Sequence, residues 1–272
     1  VSINTPSSNC TGAQLCTNPQ NFSAYSWTSS LEITPCINAS IPQTYSVIVT
    51  DANQCTASAQ YNFSAMNMAC CGNYSTDLTQ TIIDNLVTPF ELTGQYNLNS
   101  NLNITKNVTL KGCTLAIGSG VTITVQTGKF FTITDKVGLP NITSWLYGCG
   151  DMWGGIINSG GVVIVSNNSL IQDAISAISS ANGNRIIVTG SRFDKNYYDI
   201  SLSNGSFPLI QTTIYGNTFD CSSPISKAPH VNQITRAHIQ LDNVTDLVIG
   251  DAARNTNSFL KGAVGINANY SS

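Results

Sequence analysis

Val162-Val-Ile-Val-Ser-Asn-Asn-Ser-Leu-Ile171 and Arg185-Ile-Ile-Val-Thr-Gly-Ser-Arg-Phe193 are one phrase written twice. In each, an alternating apolar run gives way to small polar residues and one large apolar residue, and a final Ile follows seven places later, at Ile178 and Ile200. Ile214-Tyr-Gly-Asn-Thr-Phe219 repeats the middle of the phrase, while Leu247-Val-Ile249, Phe259 and Ile266 repeat its beginning and end. Aligned, the copies give three columns: Val165, Val188, Ile214, Ile249; Ile171, Phe193, Phe219, Phe259; and Ile178, Ile200, Ile239, Ile266. Three apolar anchors per repeat predict a coil with three sides.

A repeat of this length cannot bury its apolar face alone, so stacked copies must share a core. Short runs rich in Val, Ile and Thr, with Gly, Asn and Ser at the corners, read as strand and turn rather than helix. The sequence therefore predicts a parallel β-helix, a three-sided solenoid that is right-handed by the general crossover preference. Equivalent residues then stack about 4.8 Å apart, with apolar columns inside and Asn and Ser laddering at the bends.

Leu146-Tyr-Gly-Cys-Gly-Asp-Met-Trp-Gly-Gly-Ile156, Asp173-Ala-Ile-Ser-Ala-Ile178 and Phe193-Asp-Lys-Asn-Tyr-Tyr-Asp-Ile200 resemble the pectin lyase-like β-helices of large secreted surface proteins of the Bacteroidetes type. The resemblance covers roughly Thr88 to Ser272 and implies the fold more than an activity, because that superfamily includes lyases, hydrolases, adhesins and spacers.

The first part of the chain has a different grammar. Tyr25-Ser-Trp27, Leu31-Glu-Ile33 and Tyr45-Ser-Val-Ile-Val-Thr50 read as short strands, and Asp51-Ala-Asn-Gln54 reads as a turn into Cys55-Thr-Ala-Ser-Ala-Gln-Tyr61. Such strands predict a small antiparallel β-sandwich over residues 1–65, with Trp27 in its core. The phrase from Tyr45 to Thr56 resembles the immunoglobulin-like and PKD-like modules of bacterial surface proteins. Residues 66–88 are expected to link this module to the solenoid and cap it, Asp77 to Val87 forming a short helix or an edge strand. Residues 89–272 are expected to be the β-helix, continuing beyond Ser272.

Only 9% of the 272 residues are charged, and the net charge is −3. A polar surface is built here without ions, and the clustered Lys and Arg that nucleic acid demands are lacking. No run of 18 apolar residues predicts a membrane span. Nine cysteines, Cys10, Cys16, Cys36, Cys55, Cys70, Cys71, Cys113, Cys149 and Cys221, are candidates for disulfides in an oxidising, extracellular setting. The absence of any Cys-x-x-Cys pair argues against zinc. The odd count leaves at least one thiol free or bonded to another chain.

Two sets of residues are candidates for chemistry. Asp194 and Asp220 each follow a Phe of the second column, so strand alternation should point both outward from neighbouring coils. Carboxylates so placed can hold Ca²⁺ or act as acid and nucleophile on a glycoside, or simply be solvated. In the last case their substitution by Asn would leave stability unchanged or slightly raised. The Gly-His-Gly and Arg-x-Lys elements of a polygalacturonase-like site are missing. Trp145, Tyr147 and Trp153 form the second set, able to stack on sugar rings, with Trp153 alternatively plugging the interior. His238, just before a column Ile, is read as packed or surface-lying rather than as a base. The reading is a non-catalytic extracellular surface protein, an adhesin or its stalk, binding a carbohydrate or cell-surface ligand without an obligate cofactor. The alternatives are a polysaccharide lyase or hydrolase, and a filament subunit associating end to end.

Overall fold

The computed structural model describes residues 1–9, 12–28, 32–39, 43–63, 74–85, 87, 90–135, 143–208, 210–250 and 256–271. The chain divides into two compact units, Val1–Cys70 and Cys71–Ser272.

In the first unit, strands β1 (Ser2–Asn9), β2 (Gly12–Asn18), β3 (Ala24–Trp27), β4 (Cys36–Ala39), β5 (Gln43–Thr50) and β6 (Thr56–Phe63) form two antiparallel sheets, ordered β1-β2-β4 and β3-β5-β6. Leu15 and Ile37 from one sheet meet Tyr25, Trp27, Val47 and Val49 from the other in a single core. Alternation along β3 turns Tyr25 and Trp27 inward. The Trp27 indole N–H finds the Thr34 carbonyl at 3.0 Å, as a buried donor must. At the β5–β6 turn the Asp51 carboxylate accepts the Asn53 and Cys55 N–H groups at 2.8 and 2.9 Å, and Gln54 takes a left-handed φ of 65°.

The strand expected at Leu31-Glu-Ile33 does not form. Leu31 lies outside the described residues, while Glu32 and Ile33 are irregular and Ile33 is 78% exposed. That loop instead brings Thr34 to the Trp27 indole and Cys36 opposite Cys16, where register pairs the two for a disulfide.

The second unit begins with helix α1 (Gln80–Asn85), which sends Ile83 into the core. Its strands are β7 (Phe90–Leu98), β8 (Leu102–Ile104), β9 (Val108–Ile117), β10 (Thr122–Gln126), β11 (Phe130–Thr134), β12 (Trp145–Gly148), β13 (Gly155–Ser159), β14 (Val162–Ser166), β15 (Leu170–Gln172), β16 (Ser176–Ala181), β17 (Ile186–Thr189), β18 (Arg192–Asp194), β19 (Tyr198–Ser206), β20 (Thr212–Tyr215), β21 (Thr218–Asp220), β22 (Ala237–Thr245), β23 (Ser258–Phe259) and β24 (Ile266–Asn269). Among the described residues they make two large parallel, curled sheets. One runs β24-β22-β19-β16-β13-β10-β8. The other runs β20-β17-β14-β11-β9-β12-β15-β18-β21-β23, bent at the long strand β9, whose two halves pair with β11 and β12. From β13 onward the chain visits the first sheet and the two limbs of the second in rotation.

Register places the three anchor columns as the repeats predict. Val165 pairs with Val188, Val188 with Ile214, and Ile214 with Ile249. Ile171, Phe193, Phe219 and Phe259 form the second column, with rings stacked at 5.1 and 5.2 Å from Phe193 to Phe219 to Phe259. Ile178, Ile200, Ile239 and Ile266 form the third, and Ile266 is half-exposed because β24 is the edge strand. At β8, the opposite edge, Gln80 of α1 accepts the Asn103 N–H at 2.8 Å and donates to its carbonyl at 2.9 Å, satisfying the edge as a neighbouring strand would. The bend between the first and second columns carries polar bonds: Asn217 donates to the Val188 carbonyl at 2.8 Å, accepts the Ser191 N–H at 3.0 Å and donates its own N–H to Asn257 at 3.0 Å. Gly155, at φ +114°, admits no side chain, since a Cβ would lie 1.6 Å from the Ser176 carbonyl.

Only some of the cysteines pair. Cys16 and Cys36 are bonded to each other and Cys149 is also disulfide-bonded; Cys10, Cys70 and Cys71 lie outside the described residues. Cys55, Cys113 and Cys221 are free. Cys113 is sealed in the main core, Cys221 sits in a separate small cluster with Met152 and Ile225, and Cys55 is exposed at a turn, so none meets another sulfur. No described helix is long and apolar enough to cross a membrane.

Candidate functional site

The outer face of β12, β15, β18 and β21 collects the candidate residues. Inward residues alternate with outward ones, so register sets two outward rows: Trp145, Leu170, Arg192 and Thr218 in one, and Tyr147, Gln172, Asp194 and Asp220 in the other. Trp145 is 37% exposed and stacks on Tyr147, with ring centroids 4.4 Å apart. Its indole N–H donates to Gln172 Oε1 at 2.8 Å, and Gln172 Nε2 donates to Asp194 Oδ2 at 3.2 Å. Asp194 in turn accepts the N–H and hydroxyl of Ser222, both at 2.8 Å. A chain of hydrogen bonds thus fixes the exposed indole, and Tyr147 backs it, its hydroxyl 3.3 Å from that of Tyr74.

Beside Trp145 runs a groove of about 540 Å³, lined among others by Thr114, Asp135, Asn168, Leu170 and Arg192. Burial raises the Asp135 carboxyl above the usual range, against the bond it accepts from Ser144 N–H. Among the described residues the Arg192 guanidinium has no hydrogen-bond or ion-pair partner.

No protein-family model, curated protein or solved structure matches the chain.

Two expectations about the site are corrected. Trp153 is fully buried, its indole N–H on the Gln172 carbonyl at 2.7 Å, so it plugs the interior and offers nothing to a ligand. Asp194 and Asp220 are paired on neighbouring strands as expected, but Asp194 is 8% exposed rather than solvated. The segment after β21 covers it and occupies both of its oxygens through Ser222. Asp220 Oδ1 is buried without a partner. Among the described residues no three His, Cys, Asp or Glu side chains converge as a metal site. Gln172, the joint between Trp145 and Asp194, escapes the sequence reading; its signal is its place between Tyr147 and Asp194 in the outward row.

The covering segment, residues 221–236, is held across several circuits of the chain. Lys227 donates to Asp173 Oδ2 at 2.7 Å and to the Gly148 carbonyl, and the Ala228 N–H donates to Asp151 at 3.2 Å. Burial raises the Asp173 carboxyl, and the Lys227 ammonium opposes that rise. His230 lies flat on Tyr197 at 3.5 Å. His238 is packed, as its position predicts, between the Phe219 and Phe259 rings and the buried carboxylate of Asp199.

Proposed function

We propose that residues 89–272 form a right-handed, three-sided parallel β-helix and that the protein is a non-catalytic extracellular surface protein, an adhesin or adhesin stalk, binding saccharide on the Trp145 face. The observation that carries this reading is an exposed indole held at fixed orientation beside a polar groove. An immobilised aromatic face meets the apolar face of a sugar ring at little entropic cost. The rotation of the chain among three strand stacks supports the β-helix, with handedness from the crossover rule. The Cys16–Cys36 disulfide and sparse charge suit an oxidising exterior. Catalysis by Asp194 and Asp220 is disfavoured, because an acid or nucleophile needs an oxygen free to reach substrate and Asp194 has neither free.

A glycan array probed with the whole chain and with Trp145→Ala tests the reading. Binding that the substitution abolishes is expected. Absence of binding to any glycan, binding indifferent to Trp145, or cleavage of a polysaccharide would overturn it.

A further inference from the structure

We propose that the groove beside Trp145 takes a saccharide carrying an anionic group, its ring on the indole and its carboxylate or sulfate on Arg192. The inference rests on the saccharide-binding reading above and specifies its ligand.

Trp145 and Arg192 occupy the same outward row with Leu170 between them, two strand spacings or roughly 9–10 Å apart at Cα. The half-buried Leu170 continues the apolar floor from the indole toward the guanidinium. The chain carries only 11 Lys and Arg. Lys111 is spent on Glu91, Lys227 on Asp173 and Gly148, and Lys106 on the Asp84 carbonyl. Arg192 instead leaves five donors open to the groove. The planar guanidinium fork matches carboxylate and sulfate oxygens bidentately.

Asp135 lines the same groove yet forms no ion pair with Arg192, and one of its oxygens is taken by Ser144 N–H. The other remains to accept a hydroxyl. The exposed amide of Asn168, at φ 60°, adds both a donor and an acceptor at the rim. A ligand that satisfies this set has an apolar ring face, hydroxyl donors and one anionic group, which describes an acidic sugar. A phosphodiester chain fits poorly, because Asp135 and the net charge of −3 repel repeated negative charge.

Isothermal titration of the full chain tests this with three probes: a hyaluronan tetrasaccharide bearing carboxylates, a κ-carrageenan tetrasaccharide bearing sulfates, and uncharged neoagarotetraose. At least one anionic probe should bind roughly tenfold more tightly than the neutral one, and which of them does so separates carboxylate from sulfate. Arg192→Gln should erase that advantage, bringing the anionic probes to the affinity of the neutral one on the same variant, and Arg192→Lys should restore part of it. Equal affinity for all probes, or an Arg192→Gln variant that keeps the advantage, overturns the anionic inference; the saccharide reading then stands if Trp145→Ala still abolishes binding. Failure of every probe to bind overturns the anionic inference, and failure of the glycan array as well takes the underlying reading with it. Arg192 is exposed, so thermal melts of its variants should match wild type and exclude misfolding.

Discussion

His238 Nδ1 lies 2.6 Å from Asp199 Oδ2, and neither side chain reaches solvent. The other ring nitrogen, Nε2, is 3.0 Å from the Leu260 carbonyl, which can only accept, so Nε2 carries a proton and a second proton sits between ring and carboxylate. Asn196 donates to the remaining Asp199 oxygen at 2.8 Å.

Burial pushes the Asp199 carboxyl up to about 6, against the lowering by His238 and Asn196, and the nearby charge of Asp194 adds to the rise. Between the ordinary value of 3.8 and that raised value the folded Asp199 carboxyl holds a proton that the unfolded carboxyl has lost. The stabilisation is therefore complete below the unfolded value and is lost as pH climbs through the folded one. Asp199→Asn preserves the shape without the charge. Relative to that variant, wild type should gain stability as pH falls from about 7 to about 4, on the order of 2 kcal/mol, read from urea midpoints. A difference that stays flat across that window would rule out the shared proton. Asp199→Ala, which strands Nδ1, should cost roughly 3–5 kcal/mol.

Phe219 is stacked on both sides, by Phe193 and Phe259. Phe219→Ala should therefore cost about 3–5 kcal/mol in a denaturant melt, because rings above and below cannot close the cavity without breaking strand register. Phe219→Leu, which keeps most of the volume, should cost much less.

Asp194 and Asp220 should respond in opposite ways to removal of charge. Asp194→Asn replaces an acceptor that holds three hydrogen bonds, and should destabilise by roughly 1–3 kcal/mol while loosening Trp145, seen as a change in indole fluorescence. Asp220→Asn relieves a carboxylate with a buried, unpartnered oxygen, and should leave stability within about 0.5 kcal/mol or raise it. The equal, neutral response expected of a solvated pair should therefore not be seen at Asp194, which Ser222 holds.

The free thiols should separate by reactivity. Burial drives the Cys113 thiol up to about 12, and Cys221 lies in an apolar cluster, whereas Cys55 is exposed. Brief alkylation of the native chain followed by peptide mapping should label Cys55 and spare Cys113 and Cys221 until denaturant is added. Early labelling of Cys113 would contradict its burial.

The anchor columns were legible because parallel strands in register lay each repeat over the one before, so Val165, Val188 and Ile214 announce their pairing by spacing alone. The burial of Asp194 was not, because Ser222 belongs to a segment outside the repeat, with no periodicity to show where it lies. Gln172 was hidden for another reason: a single amide between two strands looks like any surface residue until both of its neighbours are placed. Leu31-Glu-Ile33 misled because alternation over three residues suits a strand equally well as a loop that must reach Trp27 and Cys16.

The Asn217 ladder gives the molecule a unit of growth. Asn217 donates to the Val188 carbonyl on one side and gives its N–H to Asn257 on the other, and Asn257 repeats the first bond on the Ile214 carbonyl, so a whole repeat gained or lost leaves both amides with a neighbour. A single residue gained or lost within a circuit instead strands a buried amide, at roughly 1–3 kcal/mol. Heritable changes in length should thus come in whole steps of about 4.8 Å, and tolerated insertions should collect where the chain leaves the rotation, as it does between Asp220 and Ala237.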